Sequence, residues 1–105
     1  MDILHELYET VEGRCQEKQE GSYTCYLFEK GLDKILKKCG EECSEVIIAA
    51  KNGKQEDTVG ELADLLYHLT VLMVNEGIPF EEEEQARRHQ KQGNLKQFHQ
   101  VDKNT

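Results

Sequence analysis

The segment from Leu62 to Val74 constrains the fold more than any other feature, because leucine, valine, alanine and methionine fill most of its positions. It contains neither glycine nor proline, so we expect a helix that is apolar on most of its sides. Such a helix has to be buried on most of its sides. A chain of 105 residues has room for one modest core and can hardly cover this helix alone. We therefore expect an all-α bundle of four to five helices whose core is completed by a homodimer.

Apolar residues recur at helical spacing along most of the remaining sequence, which predicts three more helices. Asn52-Gly53 and Glu76-Gly77 are typical helix stops, and Pro79 suits the start of a helix. A loop is expected at residues 20–24, and residues 23–28 form the only short β-like stretch. The expected helices span about residues 2–19, 32–51 with room for an extra turn before Gly31, 55–75, and a polar segment after Pro79.

The composition excludes several classes of protein. The formal net charge is -8 and no long Lys or Arg run is present, so we expect no binding to nucleic acid or to an anionic membrane. No apolar run is long enough for a membrane span or a secretory signal, which favours a cytoplasmic location. We find no repeat and no linker, so we assign residues 1–105 to one domain with a frayed tail from about residue 93.

The sequence contains four cysteines, and no two of them form a CxxC pair. Neither a zinc ribbon nor a thioredoxin-like site is therefore indicated. A cytosolic chain usually keeps its thiols reduced. We interpret Cys39 and Cys43 as small apolar core residues.

Two pairs of acidic residues occur on consecutive predicted helices. Glu42 and Glu45 form the first pair. Glu61 and Asp64 form the second, and the i, i+3 spacing places both members of a pair on one helix face. On a helical wheel the first pair borders an apolar face, and His68 joins the second pair in a narrow polar wedge. Carboxylates near the seam between two helices cost several kcal/mol of desolvation unless they are paired or bound to a cation.

Four carboxylates from two facing helices make a hard, all-oxygen site. Such a site suits Mg²⁺ or Mn²⁺ better than zinc or copper. Mg²⁺ readily holds water and phosphate oxygens, and it lowers the pKa of an attacking water. No serine or cysteine nucleophile is then needed. The acidic pairs therefore favour metal-assisted hydrolysis of a phosphoanhydride.

The same residues also have a structural interpretation. Acidic pairs at i, i+3 usually belong to a solvated helix face, and Thr58 with Glu61 fits a capping box at a helix start. A non-enzymatic helical module for metal binding or dimerisation is a further alternative. Di-iron bundles prefer Glu-x-x-His pairs, which the Glu61-x-x-Asp64 pair does not match. From spacing alone, a metal site and a solvated face are both open.

The acidic pattern resembles that of a known superfamily. The sequence contains Glu41-Glu42-x-x-Glu45, then fifteen residues, then Glu61-x-x-Asp64. This arrangement is similar to the motif of the MazG-like, all-α nucleotide pyrophosphohydrolases. The resemblance implies that four of these residues bind Mg²⁺, and it makes Glu41 an accessory acid, either a further ligand or a base that orients water. The four implied ligands are Glu42, Glu45, Glu61 and Asp64.

Further segments are similar to the phosphoribosyl-ATP pyrophosphatases, and the resemblance covers about residues 3–80. It implies Mg²⁺-dependent hydrolysis of phosphoribosyl-ATP to phosphoribosyl-AMP and pyrophosphate in histidine biosynthesis, by an α-helical dimer with sites near the subunit interface. The alternative is a house-cleaning (d)NTP pyrophosphatase of the same superfamily. The polar segment after Pro79 is more acidic than the family pattern, so its packing role is open. The segments that carry the resemblance are residues 21–24, 31–38, 45–51 and 64–69.

Eight residues are candidates for contact with a nucleotide substrate, and several also have a structural interpretation. Lys38 either meets a phosphate or forms an i, i+4 ion pair with Glu42. Residues 22–24 either bind phosphate or ribose or form an ordinary turn. His68 either contacts substrate or is a buried structural histidine, and Arg14 is otherwise a surface residue. The eight candidates are Arg14, Ser22, Tyr23, Thr24, Lys34, Lys38, Tyr67 and His68.

Overall fold

The computed structural model describes residues 2–93, and within this range the chain is all-α, as predicted. The tail expected beyond about residue 93 lies outside the described residues. None of the helices described here combines the length and the apolar character that crossing a membrane requires. The helices are α1 (Ile3–Gln16), α2 (Tyr23–Lys30), α3 (Leu32–Lys51), α4 (Gln55–Asn75) and α5 (Phe80–Lys91).

The two long helices, α3 and α4, have the predicted bounds because local signals end both of them. Gly53 follows α3 with a φ of 74°, and Gly77 follows α4 with a φ of 69°. A left-handed glycine just after the last turn is a common helix stop. The short connection makes α3 and α4 an antiparallel pair, and this pair forms the most extensive packing contact between helices.

Residues 23–28, the only β-like stretch of the sequence, form most of α2. This helix includes the turn expected before Gly31, but it begins at Tyr23, inside the loop expected at residues 20–24. Gly21 has a φ of 81° and turns the chain after α1. The Ser22 hydroxyl then caps the new helix by accepting a hydrogen bond from the backbone N–H of Cys25 at 3.2 Å. Cys25 and Leu27 are buried, and their packing stabilises a helix that local propensity does not favour.

The hydrophobic core lies where α1 and α2 pack on the α3–α4 pair. α1 ends at Gln16, three residues before its expected bound, so the following loop begins earlier than predicted. α5 buries Phe80, whose ring stacks on His5 with centroids 4.5 Å apart, and this contact answers the question of how the polar segment packs. The central core residues are Val11, Leu27, Ile35, Cys39 and Val71.

The α3–α4 pair leaves an apolar face uncovered in the single chain. On α3, Ile47 is 64% exposed, and on α4, Val59 is 59% exposed. Cys39 is buried as predicted, but Cys43 is exposed on this face, and all four thiols are free. The spacings of seven and four residues on α3, and of three and four residues on α4, align these side chains in one stripe on each helix. We call this set the α3–α4 apolar face, and it comprises Leu36, Cys43, Ile47, Val59, Leu62, Leu66 and Leu69.

Candidate functional site

Three carboxyl groups converge where α3 packs against α4. Glu42 and Glu45 come from neighbouring turns of α3, and Glu61 comes from α4. One carboxylate oxygen of each residue lies within 4.8 Å of the other two. Glu42 is only 7% exposed, so this acid lies inside the helix seam rather than on a solvated face. The structure therefore brings together three of the four predicted metal ligands.

Two oxygens of this acidic cluster are buried without a hydrogen-bond partner among the described residues. They are Oε2 of Glu42 and Oε2 of Glu61. Buried carboxylate oxygens are normally hydrogen-bonded, because leaving them unpaired away from water is costly. Oxygens that share one Mg²⁺ at ~2.1 Å lie ~3 to ~4.2 Å apart, so a small inward movement fits the cluster to such an ion. The donor set and its unpaired oxygens thus suit a hard divalent cation.

The proton affinity of Glu61 also reflects the crowding of negative charge. A side-chain hydrogen bond with Glu45, burial, and the charges of Glu45, Asp64 and Glu42 raise the pKa of Glu61 from its usual 4.5 to about 7. Without a cation at these acids, Glu61 therefore holds its proton up to about neutral pH. A divalent cation removes this need by neutralising the same charges.

The remaining two acids of the predicted site lie outside the cluster. Asp64 is exposed, and it has to turn inward before it can share a cation with the other three. Its charge nevertheless helps to raise the pKa of Glu61, so the two carboxylates are close. Glu41 is exposed and its Oε1 lies 3.5 Å from Nζ of Lys38. The alternative i, i+4 ion pair between Lys38 and Glu42 is therefore wrong, since Lys38 pairs at i+3.

The capping-box interpretation of Glu61 is also wrong. α4 begins at Gln55 with Lys54 as its N-cap residue, so Thr58 and Glu61 both lie inside the helix. The Thr58 hydroxyl donates back to the carbonyl of Lys54 at 3.1 Å. Glu61 consequently has no role in starting α4.

His68 connects the acidic cluster to α2. It is 5% exposed, and its Nδ1 lies 2.8 Å from the backbone carbonyl of Asp64, which can only accept a hydrogen bond. Nδ1 therefore carries the proton, and Nε2 has a free lone pair. The hydroxyl of Tyr23 lies 2.9 Å from Nε2 and donates to it. The histidine is thus buried and hydrogen-bonded, and it holds the Tyr23 side chain beside the acids.

Aromatic rings surround this hydrogen bond. The Tyr23 ring stacks on Tyr67 with centroids 6.2 Å apart and on Tyr26 at 6.1 Å. The hydroxyl groups of Thr24 and Tyr67 are hydrogen-bonded to each other, which joins α2 to α4. Burial raises the pKa of Tyr67, with a hydrogen bond from Thr24 opposing it, so the phenol stays protonated. These contacts give α2 a defined position over the seam.

Lys38 is the cation nearest to the acidic cluster. Burial lowers the pKa of Lys38, but the nearby Tyr23 and Glu41 outweigh that effect and raise it, so the ammonium group stays charged. Lys38 in turn opposes the burial that raises the pKa of Tyr23. A charged ammonium between Tyr23 and the acids suits a phosphate oxygen.

The other predicted substrate residues lie farther from the acids in the fold. Ser22 caps α2, which supports its structural interpretation. Arg14 lies in the last turn of α1 and is half-buried, and its backbone carbonyl accepts a hydrogen bond from Sγ of Cys25 at 3.4 Å. Lys34 lies with its Nζ 6.0 Å from the centroid of the Tyr26 ring.

Tyr26 and Lys30 are neighbours of the site that the sequence did not single out. Nζ of Lys30 lies 5.8 Å from the Tyr26 ring centroid. The signal was present in the spacing, because Tyr23, Tyr26 and Lys30 share one face once residues 23–30 form a helix. The β-like interpretation of the same residues concealed that face.

Comparison with known proteins indicates the same family as the acidic motif does. Over 92 residues the chain is 55% identical to the phosphoribosyl-ATP pyrophosphatase of Pelotomaculum thermopropionicum, which covers 86% of this chain and 94% of that protein. It is 48% identical over 98 residues to the phosphoribosyl-ATP pyrophosphatase of Clostridium novyi, with 91% and 89% of the two chains covered.

A longer protein is also similar. The histidine biosynthesis bifunctional protein HisIE of Caldanaerobacter subterraneus is 52% identical over 93 residues, which are 87% of this chain but 45% of that protein. The sequence profile of the phosphoribosyl-ATP pyrophosphohydrolases matches residues 4–89, a range that contains all five acids and the whole aromatic cluster. This chain therefore belongs to the phosphoribosyl-ATP pyrophosphohydrolase family.

Proposed function

We propose that this protein hydrolyses phosphoribosyl-ATP to phosphoribosyl-AMP and pyrophosphate in histidine biosynthesis, and that the reaction depends on Mg²⁺, with Mn²⁺ as an alternative ion. The observation that carries the proposal is the group of three carboxylates with two buried, unpaired oxygens at the α3–α4 seam. Relatives that share about half of their residues with this chain have names that state this activity.

The acids of the seam have distinct roles in this proposal. Glu42, Glu45 and Glu61 hold the cation, and Asp64 completes the set when its side chain turns inward. Bound Mg²⁺ supplies charge neutralisation for the polyphosphate and a lower pKa for the attacking water. Glu41, which is exposed beside the cluster, acts as an accessory acid, either as a further ligand or by orienting water.

The substrate contacts lie on the α2 side of the seam. Lys38 places a positive charge against a phosphate oxygen, an interaction that replaces its exposed pairing with Glu41. Tyr23 is held by its hydrogen bond with His68, so its ring and hydroxyl keep one position when the substrate arrives. Thr24 and Tyr67 fix α2 against α4 and contribute indirectly. This division gives Lys38 a binding role and His68 a positioning role.

We further propose that the protein is a homodimer that acts in the cytoplasm. The α3–α4 apolar face has side chains spaced by seven and four residues on α3 and by three and four on α4, as in helices that pack into four-helix bundles. A second copy covers the same face by two-fold symmetry. The four free thiols suit a reducing compartment.

The oligomeric state is tested by sedimentation velocity. Leu66→Glu places a charge at the centre of the apolar face and should convert the dimer to a monomer. Ile78→Glu is the control, because Ile78 is an exposed apolar residue outside both stripes. A wild-type protein that sediments as a monomer at micromolar concentration would contradict the dimer.

The activity is tested by substrate profiling with Mg²⁺ present. We expect pyrophosphate release from phosphoribosyl-ATP, loss of that release with EDTA, and recovery on adding Mg²⁺ or Mn²⁺. Rapid hydrolysis of ATP and dATP without hydrolysis of phosphoribosyl-ATP would instead assign a house-cleaning (d)NTP pyrophosphatase. Saturable Mg²⁺ binding with neither activity would leave a non-enzymatic metal-binding module.

A further inference from the structure

We propose that Tyr26, Lys30 and Lys34 form a second anion-binding subsite, which receives the phosphate on the added ribose of the substrate. The proposal deepens the function above and rests on it. Phosphoribosyl-ATP differs from ATP by a ribose phosphate attached to the adenine base, so the substrate has two phosphorylated ends. Only one of these ends contains the bond that is hydrolysed, and the other has to be recognised elsewhere.

The first observation is two ammonium groups over one exposed ring. Nζ of Lys30 lies 5.8 Å and Nζ of Lys34 lies 6.0 Å from the centroid of Tyr26. Tyr26 is 39% exposed, so a ligand can reach the ring and both cations. Neither lysine makes an ion pair with a carboxylate in the part of the chain that the structure describes.

This arrangement is unusual for a chain with a net charge of -8. Both lysines lie beside the same ring without a carboxylate partner, although acidic residues are abundant elsewhere in the chain. In this proposal a dianionic phosphate at the ring gains charge-assisted contacts from the two ammonium groups. The aromatic face beside them accepts a sugar or a base by stacking.

The subsite is aligned with the acidic cluster. Lys34, Lys38 and Glu42 follow each other at intervals of four residues on α3, so they share one helix face and span ~12 Å along the helix axis. On α2, the ring of Tyr23 lies between the acids and Tyr26, because Glu42 and Lys38 act on its pKa and its centroid lies 6.1 Å from Tyr26. These residues therefore form a row, here called the substrate row, that leads from the acids through Tyr23 and Lys38 to the two lysines.

This order matches the order of groups in the substrate. The triphosphate lies at the acids with the cation, the adenosine lies along Tyr23, and the distant phosphate reaches Lys30 and Lys34. ATP, which lacks the second phosphate, reaches only the acids, Lys38 and Tyr23. The second subsite consequently separates phosphoribosyl-ATP from ordinary nucleoside triphosphates, which a cluster of acids cannot do.

The test compares inhibition by phosphoribosyl-AMP, which has both phosphates, with inhibition by AMP, which has one. In the double variant Lys30→Gln/Lys34→Gln we expect the inhibition constant of phosphoribosyl-AMP to rise about tenfold or more, since each lost charge-assisted contact has an effect of that order. The inhibition constant of AMP should stay unchanged. The KM for phosphoribosyl-ATP should rise in parallel, with kcat changed by less than about twofold.

The double variant Lys51→Gln/Lys91→Gln is the matched control. It removes the same two positive charges at exposed helix positions that do not contact Tyr26. A further pair of variants tests the contribution of the aromatic ring apart from that of the lysine charges. Tyr26→Phe keeps the aromatic face and should retain more affinity for phosphoribosyl-AMP than Tyr26→Leu. Circular dichroism confirms that each variant keeps its helices.

Two outcomes distinguish this proposal from the proposed function. If the ratio of the two inhibition constants in the Lys30/Lys34 variant equals that of the control, the subsite is refuted while the hydrolase activity stands. If the wild type hydrolyses only simple nucleoside triphosphates, the proposed function is refuted. The ratio of inhibition constants, measured with ATP as substrate, then still reports whether the two lysines bind the second phosphate.

Discussion

The aromatic end and the acidic end of the candidate site are organised in opposite ways. At the aromatic end, Tyr23 and His68 form a chain of hydrogen bonds that ends at the backbone of Asp64. At the acidic end, Glu42 and Glu61 each bury an oxygen without a hydrogen-bond partner among residues 2–93. Hydrogen bonds within the protein therefore fix the first end, whereas in the proposed function a divalent ion pairs with the oxygens at the second.

This difference separates two kinds of preorganisation. Hydrogen bonds within the chain hold the aromatic end in the same position whether or not a ligand is present. At the acidic end, the hydrogen bond with Glu45, burial and the neighbouring negative charges together raise the pKa of Glu61. In the proposed function, a divalent cation neutralises those charges. Variants at the acidic end should therefore lose activity without losing stability, whereas variants at the aromatic end should lose both.

The largest expected effect comes from Glu42→Gln, which should abolish turnover while leaving the fold intact. Loss of this buried ligand removes most of the stabilisation by the metal, so kcat/KM should fall by at least about a thousandfold. The melting temperature of the metal-free protein should not fall, because an amide replaces a carboxylate that has an unpaired oxygen. Steady-state kinetics and thermal unfolding by circular dichroism measure both quantities.

The control for this prediction is Glu82→Gln, which makes the same change at an exposed acid in the first turn of α5. It should preserve activity. Asp64→Asn should match the loss caused by Glu42→Gln if Asp64 turns inward to bind the cation. Collapse of the helices in Glu42→Gln would show that the acid stabilises the seam, and the contrast between the two ends would then fail.

A smaller effect is expected from Tyr23→Phe at the aromatic end, and there activity and stability should fall together. Removal of the hydroxyl leaves Nε2 of the buried His68 unpaired, which costs about 1–3 kcal/mol of unfolding free energy. The looser ring should lower kcat/KM by about tenfold, as expected for a displaced positioning group. Chemical denaturation and steady-state kinetics measure the two losses.

Tyr8→Phe is the matched control for this variant. The hydroxyl of Tyr8 is also largely buried and donates to the carbonyl of Ile78 at 2.8 Å, but Tyr8 is not part of the candidate site. It should therefore lose a comparable amount of stability and no activity. Equal losses of activity in Tyr8→Phe and Tyr23→Phe would mean that Tyr23 acts only through stability.

The sequence was most informative where one local rule determined the structure. The bounds of α3 and α4 follow from apolar periodicity and from Gly53 and Gly77, which end the helices. The position of the acids at the seam follows from the same periodicity, because a residue at the border of an apolar stripe has to lie where two helices meet. Four acids on consecutive helices therefore predicted a cluster, and three of them form it.

Competing local signals explain the parts that were missed. Tyr23, Tyr26 and Phe28 favour a strand locally, and only the Ser22 cap and the burial of Leu27 make residues 23–30 a helix. The sequence suggested only a helical turn before Gly31 and not the whole of α2. The helix face that carries Tyr26 and Lys30 beside the site was therefore not predicted. Rotamers are a further gap, since helical periodicity does not determine whether Asp64 points inward.

The smallest expected effect is a pH dependence of stability that arises from Glu61 alone. The folded pKa of Glu61 is about 7, above its ordinary value of 4.5, so the folded state binds more protons between these two pH values. The stability that this proton provides is fully present below pH 4.5 and is lost as the pH rises through about 7. The metal-free protein should therefore melt a few degrees lower at about pH 8 than at about pH 5.5. Mg²⁺ should raise the melting temperature more at the higher pH, because it no longer has to displace the proton.

Glu61→Gln mimics the protonated acid and should remove the pH dependence of the melting temperature of the metal-free protein, whereas Glu82→Gln should leave that dependence unchanged. A wild-type melting temperature that stays constant or rises over this range would show that the folded state does not hold this extra proton on Glu61, and the contrast between the acidic and the aromatic end would then be lost.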